Sequence, residues 1–373
     1  MENFKALGVK SDFVKGLKDL GIINPTDIQK QVIPLLLDGN TDLVGQAQTG
    51  TGKTAAFGLP LLHKIDPKKE YLQGLILCPT RELGQQVAQQ LFRYTKYSDK
   101  IFTESVYGGE KIDRQISNLK RTTHIVVATP GRLIDLVNRK AVDLSKVKTV
   151  ILDEADEMLS MGFKKELDEI LGFLPEAQSK WLFSATMPQG IKQIVNEHMS
   201  NNAHRITVSG SNVVNAKIEH KFLHCEDAEK FHILLQFLNS VKGQRGIVFC
   251  RTRNTAKKVA AQLIAKNIAA DAIHGDLLQK ERDKVMRAFK NKNLSIIVAT
   301  DIAARGIDVA DLTFVVHFQL PDQDEYYTHR SGRTARAGKE GVSLVLANGY
   351  DVRTIREYEK NLKISFAKIK VIR

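Results

Sequence analysis

Cysteine is scarce in this chain. Only three occur among 373 residues, Cys78, Cys225 and Cys250, and they lie far apart. No two have the close spacing of a metal knuckle, and an odd count gives no disulfide framework. The pattern suits a reducing compartment. Long apolar runs are also missing, and none approaches the ~18 residues a membrane-spanning helix needs. Residues 1–10 lack the apolar segment of a secretory signal. No short-period repeat of the solenoid kind is visible. These absences together lead to the expectation of a soluble, cytoplasmic protein.

What is present is ordinary globular material. The chain is 43% hydrophobic and 26% charged, which excludes a disordered or collagen-like polymer. Its length suggests about two domains. Lys and Arg number 55 against 42 Asp and Glu, a net charge of +13, which permits a polyanionic partner. The excess is uneven. Residues 1–209 hold 27 basic and 24 acidic residues, whereas residues 210–373 hold 28 and 18. Between the halves, 208–216 reads V-S-G-S-N-V-V-N-A, small and polar as a linker would be. The expected domains are therefore 1–207 and 217–373.

Each half alternates short β-branched runs with longer helical patterns. In the first half the runs 75–78, 124–128 and 150–152 are nearly all apolar. In the second, 246–250, 295–299 and 314–318 have the same character. Continuous apolar runs mark parallel strands covered on both faces. The alternation predicts an α/β protein with two doubly wound parallel-sheet domains in tandem.

The strongest local signal is Ala47-Gln48-Thr49-Gly50-Thr51-Gly52-Lys53-Thr54, between the apolar Leu43-Val44 and a helical pattern from Ala55. Glycines let a backbone wrap so that its N–H groups point at phosphate oxygens, and the following helix adds its positive end. Lys53 would neutralise β/γ charge and the Thr54 hydroxyl would ligate Mg²⁺. Ala47 stands where such loops usually begin with Gly. The second signal, Asp153-Glu154-Ala155-Asp156, directly follows the apolar run 150–152. Carboxylates ending a buried strand sit where open α/β sheets bind ligands. Asp153 suits Mg²⁺, and Glu154 suits a general base for attack on the γ-phosphate.

These blocks, with others in the same order, resemble the DEAD-box ATP-dependent RNA helicases from Phe4 to about Gly338. The resemblance implies RecA-like domains with a cleft between them, ATP and Mg²⁺ as cofactors, and RNA as partner. It likens residues 21–29 to the family's Q motif, assigning Thr26 and Gln29 to the nucleotide and Phe4 to stacking on the adenine. The side-chain amide of Gln29 has the donor and acceptor that an adenine edge demands. Read without the family, Gln29 is an exposed helix residue. Asp27 stands where Pro is commoner.

Arg81 in P-T-R-E-L, Gly109, and Thr129-Pro130-Gly131-Arg132 resemble the RNA-facing motifs of the first domain. Ser184-Ala185-Thr186 resembles the motif that couples hydrolysis to domain movement, with its hydroxyls expected on the Asp153–Asp156 loop and Asp156 as partner. Trp181, just before it, reads as core. In the second half Arg251 and Gly275 resemble RNA-contacting positions. The segment 299–308 resembles motif V, with Thr300 on RNA phosphate and Asp301 and Gly306 on the nucleotide. The string 329–336, H-R-S-G-R-T-A-R, resembles motif VI, with His329 in coupling and Arg333 and Arg336 as arginine fingers. Ser331 and Ala335 replace a more usual Ile and Gly.

The resemblance thus implies an RNA-stimulated ATPase and helicase. It would separate short duplexes locally, without processive tracking, holding RNA single strands or duplexes mainly by the backbone and acting as a monomer. Two rivals compete with it. One is a DNA translocase on the same frame, which the DEAD string and Q motif disfavour. The other is a non-unwinding clamp, which the full set of catalytic groups disfavours.

Overall fold

The computed structural model describes residues 3–48, 50–174, 177–208, 217–304, 312–335 and 339–369. The chain divides into two compact units, Met1–Val208 and Ser209–Arg373. Most of the segment read as a linker, from 209 onward, lies outside the described residues.

The first unit holds seven strands: β1 Leu43–Gln46, β2 Gly74–Leu77, β3 Thr103–Val106, β4 Ile125–Ala128, β5 Thr149–Leu152, β6 Ser179–Ser184 and β7 His204–Thr207. They form one sheet in the order β3-β4-β2-β5-β6-β1-β7, and every pairing is parallel. The apolar runs become its centre. β2, β4 and β5 are buried throughout, because helices cover both faces. Side chains alternate between two cores: Ile76, Val127 and Ile151 enter one, and Leu75, Val126 and Val150 the other. Trp181 is buried in the first, where its indole N–H donates to the Thr41 carbonyl (3.0 Å).

The second unit repeats the plan. Its strands are β8 Ile218–His224, β9 Gly246–Phe249, β10 Ala270–Ile273, β11 Ile296–Ala299, β12 Phe314–His317, β13 Gly341–Ala347 and β14 Ala367–Ile369. The order is β10-β11-β9-β12-β13-β8-β14, again all parallel. Both units are doubly wound α/β sheets. Parallel strands share one direction, so all their carboxyl ends lie on one edge, and that edge carries the motifs.

Candidate active site

Three adjacent strands, β5, β6 and β1, bring the phosphate loop, the carboxylates and the Ser184–Thr186 segment together. The loop leaves β1 at Gln46 and enters the helix Lys53–Lys64. Gly50 and Gly52 have φ of +81° and +89°, the left-handed region that glycine enters without steric cost. The Thr51 hydroxyl donates to the Gln48 carbonyl (2.7 Å), closing the turn. Lys53 is buried, and its Nζ donates to the Ala47 carbonyl (3.0 Å), which holds the ammonium across the loop. Thr49 lies outside the described residues.

Gln29 supports this loop from the helix Asp27–Asp38. Its Nε2 donates to the Gly52 carbonyl (3.0 Å), and its Oε1 accepts the Thr26 N–H (2.9 Å). It is only 2% exposed, so the residue-by-residue expectation of an exposed side chain is corrected. The contact also restricts Gly52, because a Cβ there would stand 2.3 Å from the Gln29 amide nitrogen. Thr26 itself is exposed. Phe4 is 1% exposed and packs in the first core with Leu7 and Val9. Its ring is placed as core, and no exposed stacking face is offered here.

At the end of β5, Asp153 is buried. Burial pushes its carboxyl up to about 7, Lys53 opposes the shift and Glu154 adds to it. The Asp153 Oδ1 has no hydrogen-bond partner. A buried carboxylate oxygen without a donor suits a hard divalent cation, and Thr54, in the first turn of the helix Lys53–Lys64, offers a hydroxyl oxygen. Glu154 has φ 51° and ψ 53°, a left-handed conformation unusual for a residue with a side chain. Such strain costs about 1–2 kcal/mol. Asp156 is the structural member of the set. Its Oδ2 accepts both the Thr186 N–H (2.8 Å) and the Thr186 hydroxyl (2.9 Å). Its own N–H donates to Ser184 Oγ (3.3 Å), and that hydroxyl donates to the Thr186 carbonyl (2.6 Å). The expected link from Ser184 and Thr186 to the carboxylate loop is therefore present as three hydrogen bonds, with a fourth inside the Ser184–Thr186 segment.

The remaining strand ends of this edge, on β2, β4 and β3, carry Arg81, Thr129–Arg132 and Gly109. The Arg81 guanidinium lies 4.5 Å over the Tyr107 ring. Arg132 Nη1 donates to Gln115 Oε1 (2.9 Å) and Nη2 to the Glu110 carbonyl (3.1 Å). Gln115, buried, donates in turn to the Tyr107 carbonyl (3.0 Å). Tyr107 and Gln115 thus tie the two arginines into one network. Sequence reasoning missed both, because neither type signals phosphate binding. Pro130 opens the helix Pro130–Asn138 with Gly131 exposed beside it, and Gly109 has φ +85°.

In the second unit Arg251 follows β9, where its Nε donates to the Leu320 carbonyl (2.6 Å) and its Nη2 pairs with Asp322 (3.0 Å). Gly275 is exposed beyond β10. Thr300 and Asp301 follow β11, with Thr300 buried. His329 is half-buried in the helix Asp324–Ser331, and Arg333, just beyond it, is only 8% exposed. Three basic residues in eight would ordinarily form a solvated face, but Arg330 and Arg333 are inside. Gly306 and Arg336 lie outside the described residues. Arg330 is the residue of this string that the sequence did not single out. It is 1% exposed and holds both Asp301 carboxylate oxygens with one edge of its guanidinium, Nε and Nη2. Its only signal was membership of the 329–336 string.

Comparison with known proteins bears on this geometry. Residues 26–194 match the family model for the DEAD/DEAH box helicase, and residues 229–338 match that for the helicase conserved C-terminal domain. The chain is 42% identical over 363 residues to the DEAD-box ATP-dependent RNA helicase CshA of Bacillus cereus, covering 97% of this chain and 69% of that protein. It is 40% identical to CshA of Geobacillus kaustophilus, covering 99% and 79%. Among solved structures, S. cerevisiae Dbp5 bound to RNA and ADP BeF3 superposes with a TM-score of 0.91 at 29% identity, covering 100% and 96%.

Proposed function

The chain belongs to the DEAD-box family of ATP-dependent RNA helicases, and on that premise we propose how its own residues divide the work. It is an RNA-dependent ATPase and helicase. The observation that carries the division is the order of strand ends on the first sheet. β5, β6 and β1 present the nucleotide groups, and β2, β4 and β3 present the arginine groups as their neighbours. One rigid sheet edge therefore serves two ligands.

In this reading residues 1–207 bind the nucleotide, 217–373 supply the second half of the site, and 208–216 join them. Gly50, Thr51, Gly52 and Lys53 take the phosphates, with Thr49 and Gln48 in the same loop. Gln29 and Thr26 receive the base. Asp153 and Thr54 hold Mg²⁺, which neutralises phosphate charge when bound, and Glu154 takes the proton from the attacking water. Asp301 receives the ribose. Arg333 and Arg336 stabilise charge on the departing γ-phosphate. Arg81, Arg132, Arg251 and Thr300 hold RNA phosphates.

Cleavage of the γ-phosphate changes the charge that Glu154 and Asp153 face. Asp156, two residues on, passes that change to Thr186 through its paired hydrogen bonds. ATP and RNA favour one closed state, so each strengthens binding of the other. Unwinding is local. Among the described residues no helix is long and apolar enough to cross a membrane, and the three free, buried cysteines suit a cytoplasmic setting.

The test is ATP hydrolysis by the full chain with single-stranded RNA, duplex RNA or DNA, beside separation of a short labelled RNA duplex. RNA stimulates hydrolysis and ATP drives separation in this reading. Equal stimulation by DNA, or hydrolysis without separation, would overturn it.

A further inference from the structure

A groove of about 940 Å³ in the first unit is lined by none of the groups above. It is lined by residues 101–104, which begin β3, and by 121–123, just before β4. Arg81, Gly109 and Arg132 follow the other ends of these strands and their neighbour β2. The groove is thus at the amino edge of the sheet and the motifs are at the carboxyl edge.

Its chemistry is uncommon for a resting surface. Phe92 is 72% exposed and Phe102 48%. Arg93, Lys100 and Arg121 are exposed on its walls, and none of their side-chain cations has an ion-pair or hydrogen-bond partner among the described residues. Glu104 is its one acidic wall residue, and it is engaged by Asn118 (2.8 Å).

Phe102 is held as a platform. The buried His124 accepts its backbone N–H at Nδ1 (2.9 Å), and the two rings stack at 5.6 Å and 20°. The phenyl ring lies against the imidazole while Phe102 keeps about half of its surface exposed to solvent.

We propose that this groove is a second binding surface for single-stranded RNA, in which Phe102 and Phe92 stack bases and Arg93, Lys100 and Arg121 neutralise phosphates. Cations that track a backbone beside aromatic faces are the shared chemistry of sequence-tolerant single-strand sites. The nearby hydroxyls of Thr103, Thr122 and Thr123 add donors and acceptors for ribose and phosphate. An acidic peptide would also meet the cations, but it does not account for an open ring braced from below. The surface rests on the helicase reading only in taking RNA as the polymer, and it acts on flanking strand without needing ATP.

The test uses the full chain and labelled oligouridine of 10 and 30 nucleotides. Without nucleotide, the triple variant Arg93→Glu, Lys100→Glu, Arg121→Glu binds the 30-mer at least ~10-fold more weakly, and its log–log salt slope falls by about 2, from three lost phosphate contacts. Phe102→Ala weakens the same binding about tenfold, whereas Phe102→Trp retains it. Stimulation of ATP hydrolysis by the 10-mer is unchanged in all of them, and its absence in the parent chain would count against the helicase reading alone. Parent-like 30-mer affinity and slope in the triple variant would overturn the proposal. So would loss on charge reversal with none on Phe102→Ala, which describes a bare electrostatic patch. Binding of the peptide (Glu-Glu-Phe)4 in the groove, with RNA affinity unaffected by the variants, would also overturn it.

Discussion

Arg330 grips Asp301 with two prongs: Nε donates to Oδ1 at 2.5 Å and Nη2 to Oδ2 at 2.7 Å. The remaining arm, Nη1, donates to the Gln319 carbonyl (2.8 Å), and the guanidinium lies 5.2 Å over the Phe249 ring. A carboxylate has about four acceptor sites, so two bonds to Arg330 fix its orientation and leave others able to accept. The pair joins the end of β11 to the helix Asp324–Ser331. Two motifs that are 29 residues apart thereby become one rigid object.

Arg330→Ala is expected to cost about 3–5 kcal/mol, because it leaves a partly buried carboxylate without its partner. Arg330→Lys recovers only part of that, since an ammonium cannot make the fork. Chemical denaturation of the two variants checks this, and equal stability of Ala and Lys variants would contradict it.

Lys53→Ala should lose nucleotide affinity, whereas Glu154→Gln should keep it and lose hydrolysis by at least ~100-fold. Gln keeps the size of Glu and the same strained backbone, so only the base is removed. Titration of a fluorescent nucleotide beside single-turnover hydrolysis separates the two. Equal loss of affinity in both variants would refute the division.

Acid should weaken the second unit through His220. Its Nδ1 meets the Tyr327 hydroxyl at 2.5 Å, and burial lowers its pKa to about 4. The unfolded chain takes up a proton near 6.5 and the folded one only near 4. Stability from this group is therefore full above about 6.5 and lost as pH falls towards 4. His63, also lowered to about 4 by burial, adds to the loss from the first unit. His220→Phe should make the profile shallower between those pH values, with the buried His317, lowered further by burial, still contributing to the loss. A profile parallel to that of the parent would contradict the assignment.

Ala335 occupies a left-handed conformation, φ +55°. Ala335→Gly relieves about 1–2 kcal/mol of strain, but loses a buried methyl worth about 0.8 kcal/mol and adds chain entropy. The net change should stay within about 1 kcal/mol. Gly341→Ala has no such compensation, because its Cβ would stand 2.3 Å from Thr334 Oγ1 and 2.8 Å from the Ala335 nitrogen. Thermal unfolding should rank Gly341→Ala well below Ala335→Gly, and the reverse order would be inconsistent with this geometry.

The sheet centres were legible in the sequence because burial on both faces leaves unbroken apolar runs. β2, β4, β5, β9, β11 and β12 fall within a residue of those runs. β3, reading T-E-S-V, and β7, reading H-R-I-T, were not legible, because edge strands are half open and need no apolar pattern. At the site, loop glycines and strand-end carboxylates were readable since their chemistry demands those types. The burial of Gln29 against Gly52, the strain at Glu154 and the Arg330 fork were not. Each depends on a partner or backbone angle that only the folded chain supplies.

Arg333→Ala separates a hydrolytic role of this arginine from one in RNA binding alone. Hydrolysis of ATP by this variant is measured across a titration of single-stranded RNA to saturation. If Arg333 stabilises the departing phosphate, the plateau stays lower by about 10³-fold or more while ADP affinity is retained. If Arg333 only binds RNA, saturating RNA restores the parent rate, and that recovery would exclude a hydrolytic role for Arg333.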